Sequence, residues 1–333
     1  MKASVIAWLE RRWYGGVPPG AGLRAVSELY CWWMWRRRVA YYSGRRPGAR
    51  AGVPVIVVGN LSVGGAGKTP LVLALVAALR GRGWRPGVIS RGYGGSAHGP
   101  ERVLCDSDPA RVGDEPLLIA QRSDAPVAIA RRRIEAAQLL VASGEVDVLI
   151  ADDGLQHYAL WRDLEVLVID GRRGFGNRRV LPAGPLREQV DRADDCDFAV
   201  LNGGEATGRE IPMRMEQRDA VTLDGQSIRP LTEFAGQRVH ALAGIGDPTR
   251  FFAALRGQGL EVVPHPFPDH HAFRAADLKF PESLPLLMTE KDAVKCRGFA
   301  APERYAVPVD AILPESFFDA VDARLRALPR EPT

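Results

Sequence analysis

The chain has 333 residues, 46% apolar and 25% charged, with a net charge of +4, a balance that excludes a disordered or fibrous chain and leaves room for two globular domains. Its four cysteines, Cys31, Cys105, Cys196 and Cys296, lie far apart with no C-x-x-C pair. That spacing argues against a zinc site or a disulfide framework and suits a reducing compartment.

The chain opens on an unusual segment. Residues 1–50 hold ten Lys/Arg against only Glu10 and Glu28, so the rest of the molecule is mildly acidic. The same stretch carries five of the seven tryptophans (Trp8, Trp13, Trp32, Trp33, Trp35) and four of the seven tyrosines. Basic and aromatic residues together fit nucleic acid, a membrane interface with indoles at headgroup depth, or plain packed helices with solvated arginines. The uncharged run Leu29–Trp35 is seven residues long, far short of the roughly 20 that span a bilayer. Helices over residues 1–42, Trp13 included, are therefore expected to lie on an anionic lipid surface without crossing it. No signal peptide is expected, because Glu10, Arg11 and Arg12 interrupt any apolar core.

Apolar strands then alternate with helices: Val53–Val58, helix Pro70–Arg80, strand Arg85–Ser90, helix Arg131–Ser143, strands Val146–Ala151 and Leu164–Asp170. This alternation predicts an α/β fold, a mostly parallel sheet with helices on both faces. Around Met213–Leu223 the chain turns polar and alternating, and Arg238–Ala243 opens a smaller α/β C-terminal domain. There Asp247 reads as an N-cap with Pro248 at the first helical position. Further strands are expected at 261–264, 284–288 and 305–309, and a closing helix at Glu315–Ala327 that can pack back on the first domain. The expected division is a helical segment over 1–50, a nucleotide-binding domain over 51–212 and a smaller domain over 213–333.

After the first strand stands Asn60-Leu-Ser-Val-Gly-Gly-Ala-Gly-Lys-Thr-Pro-Leu-Val72. Glycines let a loop bend tightly around phosphate oxygens, and the helix that follows adds its positive end. Ser62, Gly64, Gly65, Ala66, Gly67, Lys68 and Thr69 are the candidate phosphate-binding residues, with Lys68 on the β and γ phosphates and the Thr69 hydroxyl on Mg²⁺. Ser62 departs from the strict motif, which asks for glycine at that position. A site of this kind needs a carboxylate at the end of a neighbouring strand, and Val148–Ala151 runs into Asp152 and Asp153. The alternative for that pair is a solvated loop. With His157, the two aspartates could also suggest a metal hydrolase, but no second histidine cluster stands at ligand spacing. In Thr289-Glu-Lys-Asp292 the lysine falls one place too late for a guanine motif, which leaves ATP as the nucleotide.

Seven blocks in order, GNLSVGGAGKTPLV, ISRGYGG (89–95), GDEPLLIA (113–120), ADDGLQH (151–157), LPAGPLRE (181–188), FPDHHAF (267–273) and MTEKDAVK (288–295), closely resemble the tetraacyldisaccharide 4′-kinase family of lipid A biosynthesis. That family tolerates the non-glycine position in its P-loop. The resemblance covers roughly residues 50–300. It implies a P-loop NTPase-type fold and transfer of the γ-phosphoryl group of ATP to the 4′-hydroxyl of a tetraacylated glucosamine disaccharide 1-phosphate. The reaction would take place at the cytoplasmic face of the bacterial inner membrane, with the protein peripheral or monotopic there.

By matched motif, Asp114 resembles the general base and His270 the partner that orients it and tunes its pKa. Glu115, Gln156, His157 and Arg187 resemble residues that hold the acceptor or the moving phosphate, and Arg91 and Tyr93 those that meet the lipid headgroup. ATP and Mg²⁺ (at Thr69, Asp152 and Asp153) are the implied co-substrate and metal. The expected enzyme is a monomer with no nucleic-acid partner. A rival reading is a membrane-recruited P-loop ATPase or switch controlling a partner protein; a soluble small-metabolite kinase leaves the aromatic N-terminus unexplained.

Overall fold

The computed structural model describes residues 2–329. Helices α1 (Lys2–Trp13) and α2 (Ala21–Tyr42) come first, then β1 (Val55–Gly59), α3 (Lys68–Gly81), β2 (Pro86–Ser90) and β3 (Glu101–Val103). A short α4 (Pro109–Val112) leads into α5 (Asp114–Arg122), followed by β4 (Val127–Ile129), α6 (Arg133–Ala142), β5 (Val148–Asp152) and β6 (Leu164–Asp170). Strands β7 (Phe198–Asn202), β8 (Ile211–Gln217), β9 (Ala220–Thr222), β10 (Ile228–Arg229) and β11 (Arg238–Ala243) come next. The chain closes through α7 (Pro248–Gly257), β12 (Glu261–Pro266), β13 (Leu286–Thr289), α8 (Glu290–Cys296), β14 (Arg304–Val307), β15 (Val309–Ile312) and α9 (Glu315–Ala327).

Nine strands form the larger sheet in the order β15-β8-β7-β6-β1-β5-β2-β4-β3, parallel except for the two outermost, β3 and β15. Strands β1, β2 and β5 are buried at every position because helices cover both faces, which is why their sequences are apolar or small almost throughout. On one face α3, α5 and α9 contribute Leu71, Leu75, Leu79, Leu117, Phe317 and Val321; on the other α6 contributes Ile134 and Leu140. Each fully buried leucine of α3 contributes about 1.5–3 kcal/mol relative to exposure. Strand β1 lies between β5 and β6, and Val58 pairs with Asp152. The loop after β1 and the two aspartates after β5 therefore leave the sheet side by side, at its carboxyl edge, where open α/β sheets bind ligands.

A second, six-stranded sheet runs β10-β9-β14-β13-β11-β12. The expected single strand at 305–309 is corrected to two strands in different sheets. Pro308 has no N–H to continue a ladder, so β14 ends at Val307 in the second sheet and β15 begins at Val309, antiparallel to β8 in the first. Residues 212 and 213, where the domain boundary was expected, both lie inside β8. The chain returns to the first sheet at its end, and there the Trp84 indole N–H donates to Asp322 of α9 at 2.7 Å.

Among the described residues no helix is long and apolar enough to cross a membrane. Helix α2 is attached by one face: Ser27 and Met34 are buried, the Ser27 hydroxyl donates to the Val180 carbonyl at 2.8 Å, and Tyr41 and Tyr42 pack on Tyr158. Trp13 is buried too, its indole N–H donating to the Pro182 carbonyl at 3.0 Å, so it belongs to the body of the protein and not to the exposed aromatic set. Trp8, Trp32, Trp33 and Trp35 remain 39–55% exposed, beside exposed Val26 and Leu29.

Candidate active site

The loop after β1 turns into α3 at Lys68 through Gly67, which has φ 93°. A Cβ at Gly67 would come within 2.5 Å of Asn202 Nδ2 and 2.4 Å of Met215 Cε, so both the backbone angle and the space require glycine. Asn202 Nδ2 donates to the Ala66 carbonyl at 2.9 Å and fixes the loop against β7. The Lys68 ammonium donates to Asn60 Oδ1 at 3.1 Å and lies 3.4 Å from Asp153 Oδ1. It is thus held at the mouth of a helix N-terminus, where backbone N–H groups and the helix dipole favour an anion. Ser62 serves the loop through its backbone: its carbonyl accepts Asn60 Nδ2 at 2.7 Å, and it bridges to Leu186.

The two aspartates meet different environments. Asp152 is buried, and its Oδ1 has no hydrogen-bond partner among the described residues. Burial foremost, then the neighbouring Glu115, pushes its carboxyl up to about 7. Asp153 has φ 48° and turns toward cations: Arg187 lies 2.9 and 3.0 Å from its two oxygens. Burial would raise this carboxyl, but Lys68 and Arg187 bring it down to about 2. Arg187 also donates to Gln156 Oε1 at 3.3 Å. Burial, with Arg133 and Arg162 nearby, pushes His157 down to about 3 and keeps its imidazole neutral near pH 7. The buried Arg133 donates to the carbonyls of Asp152 and Asp153 at 3.0 and 2.8 Å and shapes the turn carrying both carboxylates.

Asp114 stands at the start of α5, where a carboxylate also suits the helix dipole. Its Oδ2 accepts the His270 Nδ1–H at 3.1 Å. Burial would raise the Asp114 carboxyl, but the His270 bond and the cations of Lys291 and Lys295 hold it below the usual carboxylate range. The same bond raises His270 above the usual imidazole value. The Tyr93 ring meets the His270 ring edge-on, centroids 5.4 Å apart. Glu115, the next residue of α5, accepts from Lys291 at 3.0 Å.

These groups converge on one cavity of about 1040 Å³ between the two sheets. Gly64, Gly65, Ala66, Gly67, Lys68, Thr69, Arg91, Tyr93, Glu115, Asp153, Gln156, His157, Arg187 and His270 line it; Ser62 and Asp152 adjoin lining residues in the chain, and Asp114 joins it through its bond to His270. Tyr30, Trp33, Met34 and Arg37 of α2 form part of the same wall. Sequence reading named no role for Asn60, Arg133, Asn202, Lys291 or Lys295. Asn60, Lys291 and Lys295 all sit inside motifs named above; Asn60 meets Ser62 and Lys68 of its own loop, whereas Lys291 meets Glu115 and Asp269, which only folding brings to it.

The family described as tetraacyldisaccharide-1-P 4′-kinase matches residues 20–326 of the chain. A tetraacyldisaccharide 4′-kinase of Xanthomonas euvesicatoria pv. vesicatoria (strain 85-10) is 49% identical over 329 residues, 95% of each chain. One of Stenotrophomonas maltophilia (strain R551-3) is 49% identical over 326 residues, 95% of this chain and 96% of that one. Among solved structures, LpxK from Aquifex aeolicus in complex with ATP superposes with a TM-score of 0.77 at 29% identity, covering 92% of this chain and 99% of that one.

Proposed function

The chain belongs to the tetraacyldisaccharide-1-P 4′-kinase family, and from that premise we propose how its residues carry the reaction. It is a lipid kinase that phosphorylates the 4′-hydroxyl of a tetraacylated glucosamine disaccharide 1-phosphate, a lipid A precursor, with ATP as donor. The observation that carries the catalytic reading is the Asp114–His270 hydrogen bond beside a cavity that Lys68 also lines.

In that arrangement the P-loop backbone and Lys68 bind the β and γ phosphates. The 4′-oxygen bonds to the γ-phosphorus as the bond to the β,γ-bridging oxygen breaks, Asp114 takes the hydroxyl proton, and ADP leaves. His270 holds Asp114 in line. Arg187, Gln156, His157 and Glu115 surround the acceptor and the moving phosphoryl group, with Arg91 and Tyr93 on the headgroup side. A modest base is sufficient, because phosphoryl transfer depends chiefly on positioning and charge stabilisation.

Thr69, Asp152 and Asp153 fit Mg²⁺: the orphaned, buried Asp152 Oδ1 is an acceptor in need of a cation, and hard oxygen donors are what this metal takes. When bound there, Mg²⁺ would neutralise charge on the β and γ phosphates. Phosphate from labelled ATP should appear in a chloroform-soluble product when the disaccharide acceptor is supplied. Release only as free phosphate would favour the ATPase or switch reading instead.

The exposed aromatic face of α1 and α2 supports attachment of a peripheral monomer to the cytoplasmic face of the bacterial inner membrane. Trp8, Trp32, Trp33 and Trp35 provide apolar surface, and Arg12 and Arg36 stand over the Trp8 and Trp32 rings at 3.7 and 4.9 Å, ready for anionic headgroups. Replacing Trp8, Trp32 and Trp35 together with serine, and sparing Trp33 because it lines the cavity, should release the protein from anionic vesicles. The KM for vesicle-borne acceptor should rise at least about tenfold, with little change on a short-chain soluble acceptor. Salt should weaken attachment of the unaltered protein without abolishing it, since screening acts on arginines and not on indoles. A triple variant that stays fully bound would assign these side chains no docking role.

A further inference from the structure

Beside the Asp114–His270 bond a second link crosses the cleft between the two sheets. Lys291 of α8 donates to Glu115 Oε1 at 3.0 Å and to Asp269 Oδ1 at 3.3 Å. Burial disfavours the ammonium, but Glu115, Asp114 and Asp269 hold its pKa well above the usual lysine value, so it remains a cation. Asp269 in turn braces His270: its Oδ1 accepts the His270 backbone N–H at 3.1 Å, and its Oδ2 lies 3.9 Å from His270 Nε2. His270 needs that brace, because its φ of 59° lies in the left-handed region that a residue with a Cβ avoids unless its surroundings impose it.

We propose that Lys291 is a positioning residue for phosphoryl transfer: bound to Glu115 on one side of the cleft and to Asp269 on the other, it fixes the loop on which His270 stands against Asp114. The inference rests on the Asp114–His270 reading above. The groups facing this cluster are Asp114 and Glu115 from α5, Asp269 and His270 from the loop, and Asp292 and Lys295 from α8, with the Tyr93 ring against His270. Lys295 is 3.9 Å from Asp114 Oδ2 but 2.9 Å from Asp292, whose charge it already answers. Lys291 is therefore the cation that joins Glu115 to Asp269 beside the Asp114–His270 bond. Helix α8 does not depend on it for its place, because Arg122 at the end of α5 donates to both oxygens of Glu290 at 2.6 Å.

Lys291→Met should lower kcat by about 10- to 100-fold with the KM for ATP nearly unchanged, as expected when alignment and not nucleotide binding is lost. Losing the cation and loosening the His270 bond both raise the Asp114 pKa. An acid limb should therefore appear in the kcat profile, at least about one pH unit higher than in the unaltered enzyme, between about pH 4.5 and 8. Lys291→Arg should restore most of the rate and the original profile. In the Lys291→Met background, His270→Ala should cost little more.

A uniform loss at every pH, or full additivity with His270→Ala, would overturn the positioning role while leaving the Asp114–His270 reading in place. That reading fails separately if Asp114→Ala retains activity.

Discussion

Lys68→Ala should lower kcat by at least about 10³-fold while leaving the fold intact, because the ammonium stabilises charge on the phosphoryl group in flight and nothing else at the loop replaces it. The neighbouring cation, Arg187, is committed to Asp153 at 2.9 and 3.0 Å. The same pairing explains why the fold should survive: Asp153 loses a contact at 3.4 Å but keeps its arginine, so that carboxylate is not left without a counter-charge. Lys68→Arg should recover little, since a planar fork cannot occupy the place of a compact ammonium beside Asn60. Rates are read with disaccharide acceptor and saturating ATP, and folding by far-UV circular dichroism and a melting curve. Activity within about tenfold of the unaltered enzyme would remove this loop from the transfer step.

Asp114→Ala should reduce kcat by about 10²–10⁴-fold with a much smaller change in the KM for ATP, the pattern of a lost proton acceptor. His270→Ala should be milder, and the double variant no worse than Asp114→Ala, because removing the base leaves the orienting group nothing to orient. The pH dependence has a defined sign. The His270 bond lowers the Asp114 pKa, so its removal raises it, and the rate of His270→Ala should fall away at a higher pH as acid is added. Should His270→Ala prove the more damaging of the two, the imidazole takes the proton and Asp114 supports it, a role its place on the cavity wall permits. Fully additive losses would mean that the two residues act separately.

The α/β class, the P-loop and strands β1, β2, β5 and β6 were legible in the sequence because each depends on short-range patterns. Continuous apolar runs mark strands covered on both faces, and glycines before Lys68 mark a tight turn at a helix start. Arg238–Ala243 and Glu315–Ala327 coincide with β11 and α9. Periodicity does not specify which sheet a strand joins. Strands β14 and β15 read as one apolar run, and only the missing N–H of Pro308 and the open edge of β8 divide them between two sheets. The tryptophans teach the same lesson, since Trp13 and Trp8 are alike in composition and charge context, yet one reaches the Pro182 carbonyl inside the body and the other stays outside.

By itself the sequence determined which chemistry was available: a phosphate-gripping loop, paired aspartates after a strand, and acids and histidines in motifs specific enough to identify the family. The tertiary structure decided which of those groups act on one another. Asp152 and Asp153 are adjacent in the chain, yet one carboxyl is pushed up to about 7 and the other down to about 2, because burial isolates the first while Lys68 and Arg187 surround the second. Asp114 and His270, separated by 156 residues, meet at 3.1 Å only because α5 of the first sheet and the loop after β12 of the second close on the same cleft. A carboxylate's strength is set by solvent exclusion and by charges within a few ångströms, and those are properties of packing that no local stretch of chain encodes.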